Sequence, residues 1–443
     1  MTDWAGFAAS LDGVPFELDP ALVRQKSRDF FWYSPVLKDR LRGLAGDIVV
    51  LPRDEADVLT VARRCVAERV PLTVRGAGTG NYGQAVPLRG GVVLDVTGLA
   101  TIGALTDGVL RVGAGARLID IEAVTRPLGW ELRMFPSTRR TATIGGFVAG
   151  GSGGVGSINF GQLRDRGTLL AARVVTLEET PRVLVLRGDE VLRVHHAYGT
   201  NGVITELDIA MAPAQPWVDV AVTFTDFMAL ARFCHALTCA DGIAKRLATA
   251  IAAPVPQYFR ALADRVPPPA HLGLFMIAAT GLQPFGELLA EHGGIEVARE
   301  REAEVPFYEY TWNHTTLQAL KVDKGITYLQ TLFGGDDYLD KVAAMLARFG
   351  DEVPMHLEFV RLGGRAQAFG LQLVRYRDAA RLDEIIRIHE ESGCPISNPH
   401  TFVLEDGGMK ATDPAQLAFK RLVDPFGLAN PGKMRGFSDG SDP

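Results

Sequence analysis

Apolar and polar positions follow two different periods along this chain. "DIVVLP" (47–52) is a short apolar run of strand length. The next segment, "DEADVLTVARRCVAERV", puts Val58, Leu59, Ala62, Cys65 and Val66 on one helical face, and Asp54 stands at the N-cap position. "PLTVRG" (71–76) and "GVVLDV" (91–96) read as two further strands. Between them lies "RGAGTGNYGQAVPLRGG", with Gly78, Gly80 and Gly83 in G-x-G-x-x-G spacing. A Rossmann dinucleotide site needs those glycines to open a helix. Pro87 and the pair Gly90–Gly91 break any helix here, so the loop joins two strands and the Rossmann reading fails. Such a loop can point successive N–H groups at an anion.

A second small-residue tract, "PSTRRTATIGGFVAGGSGGVGSINFGQLRD", spans 136–165. Ile144, Phe147 and Val148 lie among its glycines, whereas a flexible tether would be polar throughout. It reads as a surface on which a large planar ligand lies against backbone. "LLAARVVTL" and "RVLVLRG" follow as two strands joined near "EETP", and "EVLRVHHAYGTNGVITELDIAMAP" is expected to add more. Further on, strands are expected at "WVDVAVTF", "HLGLFMIAATG", "IEVARERE", "MHLEFVRL" and "AFGLQLVRY". Helices are expected at "DFMALARFCHALT", "PFGELLAEHGG", "DYLDKVAAMLARFG" and "DAARLDEIIRIHEESG". This alternation predicts an α+β layer over an antiparallel sheet. The tail "GFSDGSDP" is expected to be disordered.

Composition narrows the class. The 443 residues are 47% hydrophobic and 22% charged, as in a globular enzyme of two to three domains. A net charge of −6 gives no general attraction to nucleic acid or anionic membrane. There is no apolar run of membrane-spanning length, and "MTDWAGFAASLDG" does not read as a signal peptide. Cys65, Cys234, Cys239 and Cys394 form no C-x-x-C pair, which suits reduced thiols in a cytoplasmic protein.

Three motifs, "VRGAGTG…GGVVLDV", "PSTRRTATIGGFVAGG" and "YGTNGVITELDIAM", occur in this order over about 45–215. Together they resemble the flavoproteins of the vanillyl-alcohol oxidase and p-cresol methylhydroxylase (PCMH) type. The tighter likeness is to the glycolate oxidase and D-lactate dehydrogenase branch. "DPFGLANPGKM" (424–434) resembles that family's closing segment. The resemblance implies a fold of class α+β: a two-part PCMH-type FAD-binding domain plus an α+β substrate (cap) domain over an antiparallel sheet. The implied boundaries are 1–215 for the FAD domain, 216–395 for the cap and 396–443 for a segment returning to the FAD domain. By motif, Arg75, Gly76, Ala77, Gly78, Thr79, Gly80 and Asn81 cradle the FAD pyrophosphate through main-chain N–H groups, with Gln84 beside them. Pro136, Ser137, Thr138 and Thr143 line the ribityl chain and pyrophosphate. Gly145, Gly146, Gly150, Ser152, Gly153 and Gly154 pass the cofactor, Ile204 lies by the adenine, and Asn430 and Lys433 lie near the flavin ring. Covalent members carry a histidine in the first loop; "GAGTGNYG" has neither histidine nor cysteine, so the FAD is expected to be non-covalent.

The family also implies hydride transfer from an alcohol to flavin N5, most directly from a 2-hydroxy acid. Oxidases or dehydrogenases of aromatic alcohols, sugar lactones or amines share the fold, and so do flavin-binding subunits of larger complexes. The partners expected are a small-molecule substrate and either a second copy of the chain or a partner subunit. Alcohol oxidation needs a base for the hydroxyl proton. His400 in "SNPHTF" is the first candidate, followed by His314 and Tyr310 in "FYEYTWNHTTLQALK". Arg375 would suit a substrate carboxylate. The family's metal-binding "HxxGDGN" and later "EHG" segments have no counterpart in the corresponding half of this chain. His356, Glu358 and His400 could together bind zinc, but the alternation of "MHLEF" favours a plain strand, and no metal is expected.

Overall fold

In a computed structural model, the structure describes residues 2–301, 303, 305–407 and 411–437. The expectation of a disordered tail falls, from 438 onward, outside the described residues. Near the start, Ile48–Val50 and Leu72–Arg75 flank Val92–Asp95, and both run parallel to it. Phe16–Glu17 adds an antiparallel edge. The crossover helix Glu55–Glu68 is capped by Asp54, whose carboxylate accepts the N–H of Asp57 at 2.9 Å. It buries Val58, Val61, Ala62, Cys65 and Val66 against the strands and ends at Arg69 in the left-handed region. No helix follows the first glycine loop, which joins two strands as expected. The chain's end extends this sheet. The N–H of Leu72 donates to the Leu428 carbonyl, and the N–H of Asn430 donates to the Leu72 carbonyl, each at 2.8 Å.

The second sheet is antiparallel, in the order Ile102–Thr106, Val109–Gly113, Val203–Pro213, Leu169–Val175, Val183–Arg187, with Trp130–Leu132 paired to the far end of Val203–Pro213. The tract at 136–165 forms a short helix, Ile144–Gly150, capped by the hydroxyl of Thr143. Gly145 is needed there. A Cβ would lie 2.6 Å from the Cβ and 2.8 Å from the carbonyl oxygen of Ala114, which the backbone cannot yield. One expectation needs correction: "EVLRVHHAYG" is not strand. Gly188–Arg193 is a 3₁₀ turn, and His196 and Tyr198 have φ of 50° and 54°, which breaks any ladder until Val203.

The third layer is a seven-stranded antiparallel sheet. Its order is Ile295–Glu300, Trp217–Phe224, His271–Ala278, Lys245–Ile251, His356–Leu362, Arg365–Gly370, Thr331–Phe333. Helices Phe227–Cys239, Leu282–Glu291, Tyr338–Phe349 and Ala379–Glu391 pack through Phe233, Phe285, Val342 and Ile385 onto one core. "AFGLQLVRY" was expected as one strand and is split. After Gly370 the chain leaves the large sheet, and Leu373–Arg375 pairs with Ile326–Tyr328 instead. The break falls at Gln372, which is fully buried with its amide donating to His389 and its carbonyl accepting the Thr331 hydroxyl.

A buried ionic cluster joins this layer to the second sheet. Arg246, on the central strand Lys245–Ile251, lies 3.1 Å from Glu122 and 3.3 Å from Glu131. Its guanidinium stacks 4.6 Å from the Phe135 ring. Arg139 completes Glu122, and Arg126 completes Glu131. Arg246→Ala strips two buried carboxylates of a shared partner while each keeps one other arginine. Loss of about 3 kcal/mol is expected, read as a fall in the urea midpoint.

Candidate functional site

The first glycine loop is held by its carbonyls. The Phe30 N–H donates to the Gly80 carbonyl at 2.6 Å, and Arg75 folds back to donate to that of Ala77 at 3.0 Å. Lys433 Nζ reaches the Gly83 carbonyl at 2.6 Å, and the Asn430 amide reaches that of Gln84 at 2.8 Å. From Gly76 to Asn81, in contrast, no main-chain N–H donates to any described residue. The N–H groups of Ser137, Thr138, Ser152 and Gly153 are likewise open among the described residues. All these residues line one cavity of about 320 Å³. Two rows of unpaired donors facing one space form a nest for an anion such as a pyrophosphate.

The third layer closes the same cavity. Trp312, Asn313, His314, Gln330, Phe369 and Leu371 line it from that side, and Asp29, Phe30 and Tyr33 from the N-terminal segment. Trp312 Nε1 and Asn313 Oδ1 are buried with no partner among the described residues. Burial lowers the His314 pKa to about 4, and Lys321 adds to the lowering, while the Glu309 carbonyl orients the ring. His314 is therefore neutral at pH 7 and able to accept a proton. Asp29 and Lys433 are both buried; loss of hydration raises the Asp29 carboxyl and lowers the Lys433 ammonium.

Residues 46–182 match the family described as "FAD binding domain". Over those residues the chain is similar to that domain. Similar proteins are D-2-hydroxyglutarate dehydrogenase of Escherichia coli (strain K12), 34% identical over 30% of this chain and 13% of that protein; D-lactate dehydrogenase of Anaerostipes hadrus, 28% identical over 38% and 37%; and glycolate oxidase subunit GlcD of Escherichia coli (strain K12), 30% identical over 40% and 37%. The match thus spans well under half the length of each relative. In fold, the chain is similar over 98% of its length to alkyldihydroxyacetonephosphate synthase, with a TM-score of 0.75 and 14% identity, and covers 85% of that protein's chain.

The cavity brings together most residues expected to touch the cofactor. Arg75 through Asn81, Gln84, Pro136, Ser137, Thr138, Thr143, Gly145, Gly146, Gly150, Ser152, Gly153 and Ile204 all line it. Gly154 does not; it packs against the Phe135 carbonyl. Asn430 and Lys433 stand behind the first loop, not on the cavity surface. The open N–H rows, and Gly78 at φ +67°, fit a cofactor whose phosphates approach backbone. Sequence reasoning missed Asp29, Phe30, Tyr33, His196, Tyr198, Gln330, Phe369 and Leu371 as lining residues. For His196 and Tyr198 a signal was present: "HHAYGTNG" has two glycines within four residues, more than a ladder strand tolerates.

Of the four residues expected to act on substrate, only His314 reaches the cavity. Arg375 is turned outward, donating to the Asp351 carbonyl at 2.9 Å and facing Asp323. Tyr310 is buried against Phe259, with ring centroids 5.3 Å apart. His400 is a clamp. Its Nε2 donates to the Tyr328 carbonyl at 3.0 Å, and its Nδ1 accepts the Ser34 hydroxyl at 2.8 Å. Ser34 in turn accepts the Leu37 N–H and so caps the helix Pro35–Arg40. This uses both ring nitrogens of a neutral imidazole. His356 and Glu358 pair with each other, away from His400, and no group of three or more His, Cys, Asp or Glu among the described residues could hold a metal.

Burial lowers the His400 pKa from 6.5 to about 4, so the unfolded chain binds the extra proton first. The associated stability is complete above about pH 6.5 and falls as pH drops toward 4, by about 3 kcal/mol in total. His400→Asn should flatten this acid-side loss of urea stability while leaving flavin reduction by substrate unchanged. A hundredfold slower reduction would return His400 to the chemistry.

Proposed function

We propose that this chain is an FAD-dependent oxidoreductase that oxidises a CH–OH group of a small molecule, with its FAD bound non-covalently. The observation that supports this most is that open N–H rows and a neutral histidine share one cavity. Bound FAD would supply the hydride acceptor. The glycine loop and the tract from Ser137 to Gly153 would hold its phosphates; His314 would take the hydroxyl proton on its free ring nitrogen; Trp312, Phe369 and Leu371 would exclude water. The names of the relatives favour a 2-hydroxy acid as substrate. A neutral alcohol is the second reading, because Arg75 is the one arginine among the described lining residues and it is tied to the carbonyls of Lys26, Arg28 and Ala77. The free cysteines and the lack, among described residues, of a helix able to span a membrane support a cytoplasmic protein. It would act as a homodimer or with a partner subunit.

The purified chain should be yellow, and acid precipitation should leave FAD in the supernatant. Flavin in the pellet would instead indicate a covalent bond, with His196 and His314, the histidines that line the cavity, to examine. Gly78→Val should abolish FAD retention: the position has φ +67°, and a Cβ would lie 2.3 Å from the Arg75 guanidinium. Full flavin occupancy in that variant would remove the loop from the cradle.

His314→Asn should retain FAD, and anaerobic reduction by substrate should slow by on the order of a hundredfold. In the parent protein the reduction rate should stay level from pH 8 down to about 5 and fall as pH passes the His314 pKa of about 4. A panel of hydroxy acids and neutral alcohols, given to the chain alone, separates the two substrate readings; reduction by neither points to a partner subunit.

A further inference from the structure

Trp312 is held in a conformation that a bulky residue rarely adopts, with φ 52° and ψ −141°. It directly precedes the helix Asn313–Val322, so this turn decides where the helix begins and which way Asn313 and His314 project. Its carbonyl accepts the Thr315 N–H at 3.2 Å, and its own N–H donates to Glu358 Oε1 at 2.6 Å. Glu358 is 1% exposed. Thr249, its cross-strand neighbour, gives its hydroxyl to Oε2 at 2.6 Å, and His356 Nε2 lies 2.8 Å from Oε1. The other ring nitrogen of His356 lies 3.2 Å from the Leu371 carbonyl. Leu371 lines the cavity, as does Phe369, the other cross-strand neighbour of Glu358, and the Trp312 ring meets Phe369 edge-on at 6.3 Å. The carboxylate thus ties two walls of the cavity together from beneath.

We propose that Glu358 is a positioning residue: it holds Trp312 in its left-handed turn and thereby sets Asn313 and His314 in the cavity. This deepens, and rests on, the reading of His314 as the base. Without the carboxylate, the turn loses the acceptor of its N–H, the helix start relaxes, and the imidazole moves toward water. The charged groups around His314 are Lys321 on its own helix and Glu309, paired with Arg140, on the preceding turn; none of these is altered by changing Glu358.

The test uses full-length protein with FAD bound and histidine ring carbons labelled for NMR. Its readout is the titration midpoint of His314, assigned by comparison with His314→Asn. Glu358→Ala should keep its flavin absorbance, raise the midpoint from about 4 toward 6.5, and slow flavin reduction by on the order of a hundredfold. Glu358→Gln retains a carbonyl acceptor for the Trp312 N–H and should keep the parent midpoint and a rate within about threefold. If Glu358→Ala does not fold, Glu358→Asp withdraws the carboxylate by one methylene while keeping its charge, and should raise the midpoint by a smaller step. A folded Ala or Asp variant with its midpoint still at about 4 would overturn the proposal. A shifted midpoint together with normal reduction in His314→Asn would leave Glu358 as the positioning residue and overturn His314 as the base.

Discussion

The site depends on one asymmetry of the polypeptide: the first glycine loop leaves its N–H groups open while it is held in place by carbonyls. An ordinary secondary structure satisfies both at once and offers a ligand nothing. Here the carbonyls of Ala77, Gly80, Gly83 and Gln84 are taken by Arg75, the Phe30 N–H, Lys433 and Asn430, donors from well-separated parts of the chain. The donors at the C-terminal end are themselves anchored. Lys420 donates to the carbonyls of Thr200 and Ala429 and pairs with Asp424, which accepts the N–H groups of Leu428 and Ala429. Burying such a pair costs least where its hydrogen bonds are complete, as they are here.

The cavity is a junction of several segments. The parallel strands deliver the first loop, the second sheet delivers the tract from Ser137 to Gly153, the start of the helix Asn313–Val322 delivers Trp312 and His314, and the large antiparallel sheet delivers Phe369. Keeping these in register requires the third layer to sit rigidly on the second. The cluster of Arg246 with Glu122 and Glu131 provides that at their joint, with aromatic rings of Phe135 and Trp217 shielding the guanidinium.

Three histidines show how environment divides one residue type among roles. His400 satisfies both nitrogens and joins the N-terminal segment to Tyr328. His356 bridges a carbonyl and a carboxylate below the cavity. His314 has one nitrogen oriented by a backbone carbonyl and faces the cavity. Nothing in the residues flanking each of them in the chain distinguishes these three cases.

Much of the architecture was legible in local pattern. The period of 3.6 with Asp54 as cap marks the crossover helix, and Pro87 with Gly90–Gly91 excludes a helix after the glycine loop, because these effects act within a few residues. The two glycine tracts declared themselves as backbone surfaces for the same reason: only residues without a Cβ permit that approach. What the sequence by itself determined was therefore the open cradle and its parent fold. Which side chains surround the cradle was decided by tertiary structure alone. Asp29, Tyr198 and Phe369 are far apart in sequence and meet only when the layers stack. His400 and Arg375 carry the right chemistry for the site and were turned away from it by partners, Ser34 and Asp351, that no sequence interval predicts. A side chain's reactivity is a property of its surroundings, and those are built by contacts remote along the chain.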